Sequence, residues 1–229
     1  MSAIKGFLEA SFIDWKGRTC AVIFLAGCNL RCPFCHNHPL VLNPDSLESY
    51  DLDTIISRLQ RYKKWLGGIC ISGGEPTLDP GLPGIIRRLK NDGWAIKLDT
   101  NGTRPAMLKQ LLADKLLDMV SMDVKAPLEK KKYDRCAGTP VNLDNIRASI
   151  SILKKSKIDH EFRMTVLPLF HSEADIRTWA TMLRNKTPSD PSRLRLQNFD
   201  PRTPMDPNLS KEISFTTEIF TKLQEMVLC

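Results

Sequence analysis

Cys28, Cys32 and Cys35 follow one another as Cys-x3-Cys-x2-Cys, with Phe34 just before the third. Iron–sulfur clusters are held by cysteine thiolates, four in a complete shell. No fourth cysteine stands nearby, because Cys20, Cys70, Cys136 and Cys229 form no second close pair. A cubane held by three thiolates keeps one iron open for a substrate or cofactor, much as catalytic zinc keeps a free position. Zinc is the competing reading, with Cys32, Cys35 and either His36 or His38 as donors. Zinc sites, however, draw mostly on two separated pairs. Burial of the three cysteines as small apolar side chains fits the spacing no better than zinc does. The total of seven cysteines is odd and argues against a complete disulfide framework.

Further chemistry-bearing residues recur along the chain in Ser72-Gly73-Gly74-Glu75-Pro76, Leu98-Asp99-Thr100-Asn101-Gly102 and Met122-Asp123-Val124-Lys125. Each alone reads as a turn or a solvated ion pair. Their placement changes that reading. Apolar or β-branched runs at 19–26, 68–72, 94–99, 119–124, 161–166 and 193–199 predict strands, and the polar groups follow their ends. Between them, apolar residues three and four apart predict amphipathic helices over 51–65, 82–90, 142–155 and 173–184. Asp51, or Asp53-Thr54, and Asp144 are the expected N-caps. Such alternation means an α/β fold with parallel strands and right-handed crossovers. Six units fall short of the eight of a closed barrel. This leaves an open partial (β/α)6 barrel or a doubly wound sheet, and the partial barrel is the fold expected. The proline-rich 200–209 reads as a loop and 210–228 as a C-terminal helix. One domain over 1–229, with its core at about 18–200, is the simplest organisation. In parallel α/β folds the site lies at the carboxyl ends of the strands.

The cysteine motif together with Gly73-Gly74-Glu75-Pro76 resembles the radical S-adenosylmethionine superfamily. Asp14-Trp15-Lys16-Gly17, Cys35-His36-Asn37, Asp99-Thr100-Asn101-Gly102 and Asp123-Val124-Lys125 extend the likeness to its glycyl-radical activating enzymes, most of all the activators of anaerobic ribonucleoside-triphosphate reductase. The resemblance implies one 4Fe–4S cluster on Cys28, Cys32 and Cys35. Its open iron would chelate S-adenosylmethionine, and reductive cleavage would yield a 5′-deoxyadenosyl radical that takes hydrogen from a glycine of the partner. It implies that Gly73 and Gly74 admit the methionine portion, that Glu75 accepts from its ammonium, and that Phe34 and His36 meet the adenine. Lys125 and Arg163 would meet cofactor oxygens, Asp14 the glycyl peptide, and Asp99, Thr100 and Asp123 a monovalent cation. A flavodoxin or ferredoxin is the implied reductant. Between Cys35 and Ser72 the ferredoxin-like insert of some activators is missing, so no second cluster is expected.

Composition narrows the alternatives. Hydrophobic residues make up 42% and charged residues 26%, ordinary values for a globular chain. No apolar run is long enough for a membrane span, and the N-terminal segment lacks a signal-peptide layout, so a cytoplasmic protein is expected. The formal charge of +7 favours acidic partners without naming one. The alternative substrate is a small molecule, a nucleoside or a tRNA base, with Lys130-Lys131-Lys132 and Lys154-Lys155 on phosphates. A solvated helix face is the simpler reading of both runs, and no aromatic-basic interleaving supports nucleic acid.

Overall fold

The computed structural model describes residues 4–184 and 193–228; Cys229 lies outside them. Among the described residues, seven strands form one sheet in chain order: β1 (Ile4–Ser11), β2 (Cys20–Leu25), β3 (Gly68–Gly73), β4 (Ile96–Thr100), β5 (Met119–Asp123), β6 (Asp159–Val166) and β7 (Arg193–Asn198). β2 to β7 are parallel, whereas β1 runs antiparallel to β2. The edges β1 and β7 do not pair, so the barrel stays open.

Helices α1 (His38–Leu42) and α2 (Leu52–Gln60) follow β2, and α3 (Leu82–Asn91) follows β3. Next, α4 (Pro105–Ala113) follows β4, and α5 (Lys130–Ala137) with α6 (Leu143–Lys155) follows β5. Finally, α7 (Glu173–Leu183) follows β6, and α8 (Thr217–Leu228) follows β7. None of the described helices is long and apolar enough to cross a membrane.

Local chemistry sets the boundaries. Asp51 caps α2 by accepting from Thr54 N at 2.9 Å, as expected. On α6 the cap is Asn142, not Asp144; its Oδ1 accepts from Asp144 N at 2.9 Å. Ser172 and Asp175 form a reciprocal capping box on α7. The helix expected over 51–65 stops at Gln60, and Trp65 beyond it is exposed. The C-terminal helix begins at Thr217, after a 3-10 turn over Pro207–Lys211.

β1, α4 and α5 were not anticipated. β1 is an edge strand whose burial does not alternate, so period two is lost. α5 opens on three lysines and buries only Tyr133, Cys136 and Ala137. The apolar core also runs beyond the expected bounds, from Ile4 to Val227.

Side chains alternate along each strand. Ile23, Ile71, Leu98, Val120 and Phe162 point to the helices and join the main core. Their neighbours point into the barrel, where Trp15, Cys20, Val22, Cys70 and Met119 form a small separate cluster. Above that floor the interior turns polar.

Candidate active site

The loop 26–37 carries the three cysteines and is fastened along its length. Gly27 N donates to Leu40 O, Glu75 N to Gly27 O, Arg31 N to Ala137 O and Asp206 N to Pro33 O, each at 2.8 Å. Gly138 ends α5 at φ +65°, and a Cβ there would meet Arg31 O at 1.9 Å. The carboxyl end of α5 thus braces the cysteine loop through backbone alone. Asn37 Nδ2 donates to Gly73 O at 2.8 Å and ties the loop's far end to β3.

This loop and the carboxyl ends of the strands enclose a cavity of about 480 Å³. Cys28, Cys32, Cys35, Phe34, His36, Gly73, Gly74, Asp99, Thr100, Asp123, Lys125 and Arg163 all line it, as does Asp14. Glu75, among the residues expected there, does not. Its carboxylate is buried and accepts from Thr77 N at 3.1 Å, Thr77 Oγ1, Thr100 Oγ1 at 2.7 Å and Asn101 N at 2.5 Å. Four protein donors occupy it, so Glu75 joins β3 to the end of β4 instead of offering an acceptor to a ligand. The glycines also serve the fold in an unexpected way. A Cβ on Gly73, at φ +124°, would meet Leu25 O at 2.2 Å, and one on Gly74 would meet Gly27 O at 1.9 Å. The close approach that excludes a side chain here is to the protein's own backbone.

Residues 22–182 match the family model of the Radical SAM superfamily. The chain belongs to that superfamily. Within it, the chain is 34% identical over 211 residues to a Methanocaldococcus jannaschii protein described as a candidate glycyl-radical enzyme activating enzyme, covering 91% of this chain and 84% of the relative. It is 33% identical over 131 residues to the pyruvate formate-lyase-activating enzyme of Clostridium pasteurianum, covering 55% of this chain and 53% of that one. These relatives place it among the glycyl-radical activating enzymes. The structure of Streptococcus suis SuiB bound to precursor peptide SuiA shares the fold, with a TM-score of 0.66 at 18% identity over 90% of this chain and 44% of that one.

In this radical SAM protein the three thiols face one cavity from a braced loop. No three His, Cys, Asp or Glu side chains among the described residues converge on a single ion. Three cysteine sulfurs lining one cavity are the donor type that holds an iron–sulfur group. Burial raises the Cys28 and Cys35 thiols above their usual range and pushes Cys32 up to about 12. Cys28, Cys32 and Cys35 would hold a metal group as thiolates, and its positive charge would offset the effect of burial.

Opposite the thiols lies a row of charges across three strands. Arg163 on β6 donates from Nε to Asp123 Oδ1 at 2.7 Å and from Nη1 to Asp99 Oδ2 at 3.2 Å. Lys125 Nζ donates to Asp123 Oδ2 at 3.1 Å. Burial pushes both carboxyls upward, but the charges of Arg163 with Lys97 hold Asp99, and those of Arg163 with Lys125 hold Asp123, below the usual carboxylate range. Asp123 and Lys125 form a half-buried pair that lines the site rather than a freely solvated one.

Phe34 is buried, its ring edge-on to Phe170 at 5.8 Å. His36 stacks on Phe199 at 6.1 Å, with Nε2 2.7 Å from Asp200 O. His171 is buried; its Nδ1 accepts from Leu167 N at 3.4 Å, which leaves the Nε2 proton facing Lys125 O at 2.9 Å. Trp179 Nε1 donates to Val124 O at 3.0 Å. Both rings fix the segment that presents Lys125.

Sequence reasoning passed over two groups. Asn101 points Nδ2 at Cys28 Sγ, 3.8 Å away, while its Oδ1 accepts from Thr103 Oγ1 at 2.7 Å. Lys97 lies beneath Asp99 and is bonded to it. Its signal was present: residues two apart on a strand share a face, so a lysine at 97 had to point where Asp99 points. The lysine runs Lys130 to Lys132 and Lys154-Lys155 are outside this site. Lys130 and Lys132 pair with Asp134, Glu129 and Asp175.

Proposed function

We propose that the chain holds one 4Fe–4S cluster on Cys28, Cys32 and Cys35, binds S-adenosylmethionine beside it, and forms a glycyl radical in a partner enzyme, an anaerobic ribonucleoside-triphosphate reductase. One observation carries this reading: three thiols on a braced loop, Cys32 buried and Cys28 and Cys35 half-buried, share a cavity with the paired charges of Asp99, Asp123, Lys125 and Arg163. The cofactors carry the radical chemistry, supplying when bound one electron to a sulfonium and hence a primary carbon radical.

The chain's own residues position and shield. Cys32 is 7% exposed and Cys28 and Cys35 are half-buried, so the sulfur side of the site is partly shielded from water. Lys125 and Arg163 offer fixed positive charge for a cofactor carboxylate, pre-oriented by Asp123. Asp14 stands at the cavity, where a glycine-bearing loop can meet it through the gap between β1 and β7. The choice of reductase rests on the motif set, which resembles that group of activators most. The six described cysteines are all unpaired, which supports a reducing cytoplasm, with a flavodoxin or ferredoxin as electron donor.

The experiment is anaerobic reconstitution with iron and sulfide, followed by incubation with S-adenosylmethionine, reductant and the reductase. Production of 5′-deoxyadenosine and a glycyl doublet in electron spin resonance are expected. Release of 5′-deoxyadenosine without the doublet overturns the partner; its absence overturns the chemistry.

A further inference from the structure

Asp99, Thr100 and Asp123 were expected to hold a monovalent cation, and the donor set does not fit one. Lys97 Nζ bonds Asp99 Oδ1, while Arg163 Nη1 and Ser72 Oγ approach Oδ2 at 3.2 and 3.3 Å. Asp123 has one oxygen on Arg163 and the other on Lys125. The Thr100 hydroxyl donates to Glu75. Two carboxylates are thus met by three side-chain cations, and the row already carries a net positive charge. A sodium or potassium ion would add a further positive charge to a row whose Lys97, Asp99 and Arg163 side chains are 2%, 9% and 11% exposed, with Asp123 at 26% where the row meets the cavity.

Lys97 is the unusual member. It is 1% exposed on a strand inside the barrel, with Cys70 Sγ at 3.8 Å as its second contact. Burying an ammonium is costly unless it is paired, and an apolar residue of similar size would stabilise such a position as well or better. A lysine kept here therefore serves the carboxylate above it. It reaches Asp99 from the barrel floor, leaving the cavity side of the row free for a ligand.

We infer that Lys97 is a built-in counter-ion that takes the place of a monovalent metal ion, so that this enzyme binds its cofactor's carboxylate without sodium or potassium. The inference rests on the function proposed above. Lys97 is a positioning residue: it acts through Asp99 and Arg163 and touches no ligand itself.

The test is equilibrium dialysis of S-adenosylmethionine against the anaerobically reconstituted protein in potassium, sodium or choline chloride at one ionic strength. Equal ionic strength keeps general screening constant. The wild-type affinity is expected to agree across the three salts within about twofold, and a larger loss in choline overturns the inference. Removing one partner of a buried pair leaves an uncompensated charge, so Lys97→Met is expected to bind roughly tenfold more weakly in choline than in potassium or sodium. A merely structural lysine would weaken binding equally in every salt, and that flat response also overturns the inference. Thallium NMR of the wild-type protein decides the matter even where the variant does not fold: no saturable bound thallium is expected, and a bound signal overturns it. Failure to bind S-adenosylmethionine in any salt would instead sink the proposed function, with thallium still reporting on the ion.

Discussion

Strands β3 to β6 carry opposite chemistry on their two faces. Toward the helices they present Ile71, Leu98, Val120 and Phe162, which join one continuous apolar core. Into the barrel the same strands send Ser72, Lys97, Asp99, Ser121, Asp123, Glu161 and Arg163. The outer face is held by burial, which is non-directional and scales with apolar area. The inner face is held by directed contacts such as Ser121 Oγ to Glu161 Oε1 at 2.6 Å and Arg163 to both aspartates. Buried ion pairs add little net stability when intact, yet cost heavily when one member is removed. The inner face is thus poorly explained by folding needs and well explained by a ligand that requires fixed charge.

The sharpest way to break this contrast is Arg163→Met. It strips the shared partner from one buried and one half-buried carboxylate, which keep Lys97 and Lys125, with an expected cost of about 3 kcal/mol. Urea denaturation should show that loss, and the folded fraction should also lose affinity for S-adenosylmethionine. On the outer face Leu98→Ala removes a fully buried side chain and should cost about 2–5 kcal/mol. Dialysis of the folded fraction should show cofactor affinity unchanged. If Leu98→Ala weakened binding as Arg163→Met does, the division between the faces would fail.

The same contrast explains what the sequence reveals. Helix-facing residues announce themselves as apolar runs, so the parallel strands β2 to β7 are legible, and Cys28, Cys32 and Cys35 declare a metal group by spacing alone. The inner face is only partly legible. Asp99, Asp123, Lys125 and Arg163 surface through their motifs, but Lys97 passes as one charge in a strand until its partner is seen. Glu75 shows the limit most clearly. Its motif marks it as part of the site, yet four donors hold its carboxylate away from the cavity. Whether Gly73 and Gly74 approach a ligand or the neighbouring strand depends on contacts between segments far apart in the chain. Edge strand β1 and polar helix α5 escape because period alone does not mark them.

A milder perturbation tests how the two faces are joined. Burial holds the His171 ring below its usual pKa. Leu167 N–H already points at Nδ1, so the folded protein resists the second proton that the unfolded chain accepts. The unfolded state therefore binds more protons as pH falls below about 6.5, and stability must fall with it. Urea midpoints should decline from pH 7 toward pH 5.5. Gln at 171 offers a donor and an acceptor without titrating, so His171→Gln should flatten that decline. An unchanged slope in the variant would mean that His171 is not the group responsible.

The smallest expected effect lies on the cysteine side of the cavity. Asn101 is locked by Asn29 and Thr103: Nδ2 donates to Asn29 Oδ1 at 3.1 Å, and Oδ1 accepts from Thr103 N at 3.0 Å and Thr103 Oγ1 at 2.7 Å. What remains of its amide donor faces Cys28 Sγ. Hydrogen bonds to ligand sulfurs favour the more negative, reduced form of a cluster and raise its potential. Asn101→Ala should therefore lower the midpoint of the reconstituted cluster. One hydrogen bond of about 1 kcal/mol corresponds to a few tens of millivolts in a one-electron couple. A redox titration followed by electron spin resonance reads this without any turnover. Asn29→Ala should move the midpoint the same way by less, because it loosens the Asn101 amide without removing it. A midpoint unmoved in Asn101→Ala would reduce the amide to a brace between β4 and the cysteine loop, and would confine the tuning of the site to its charged row.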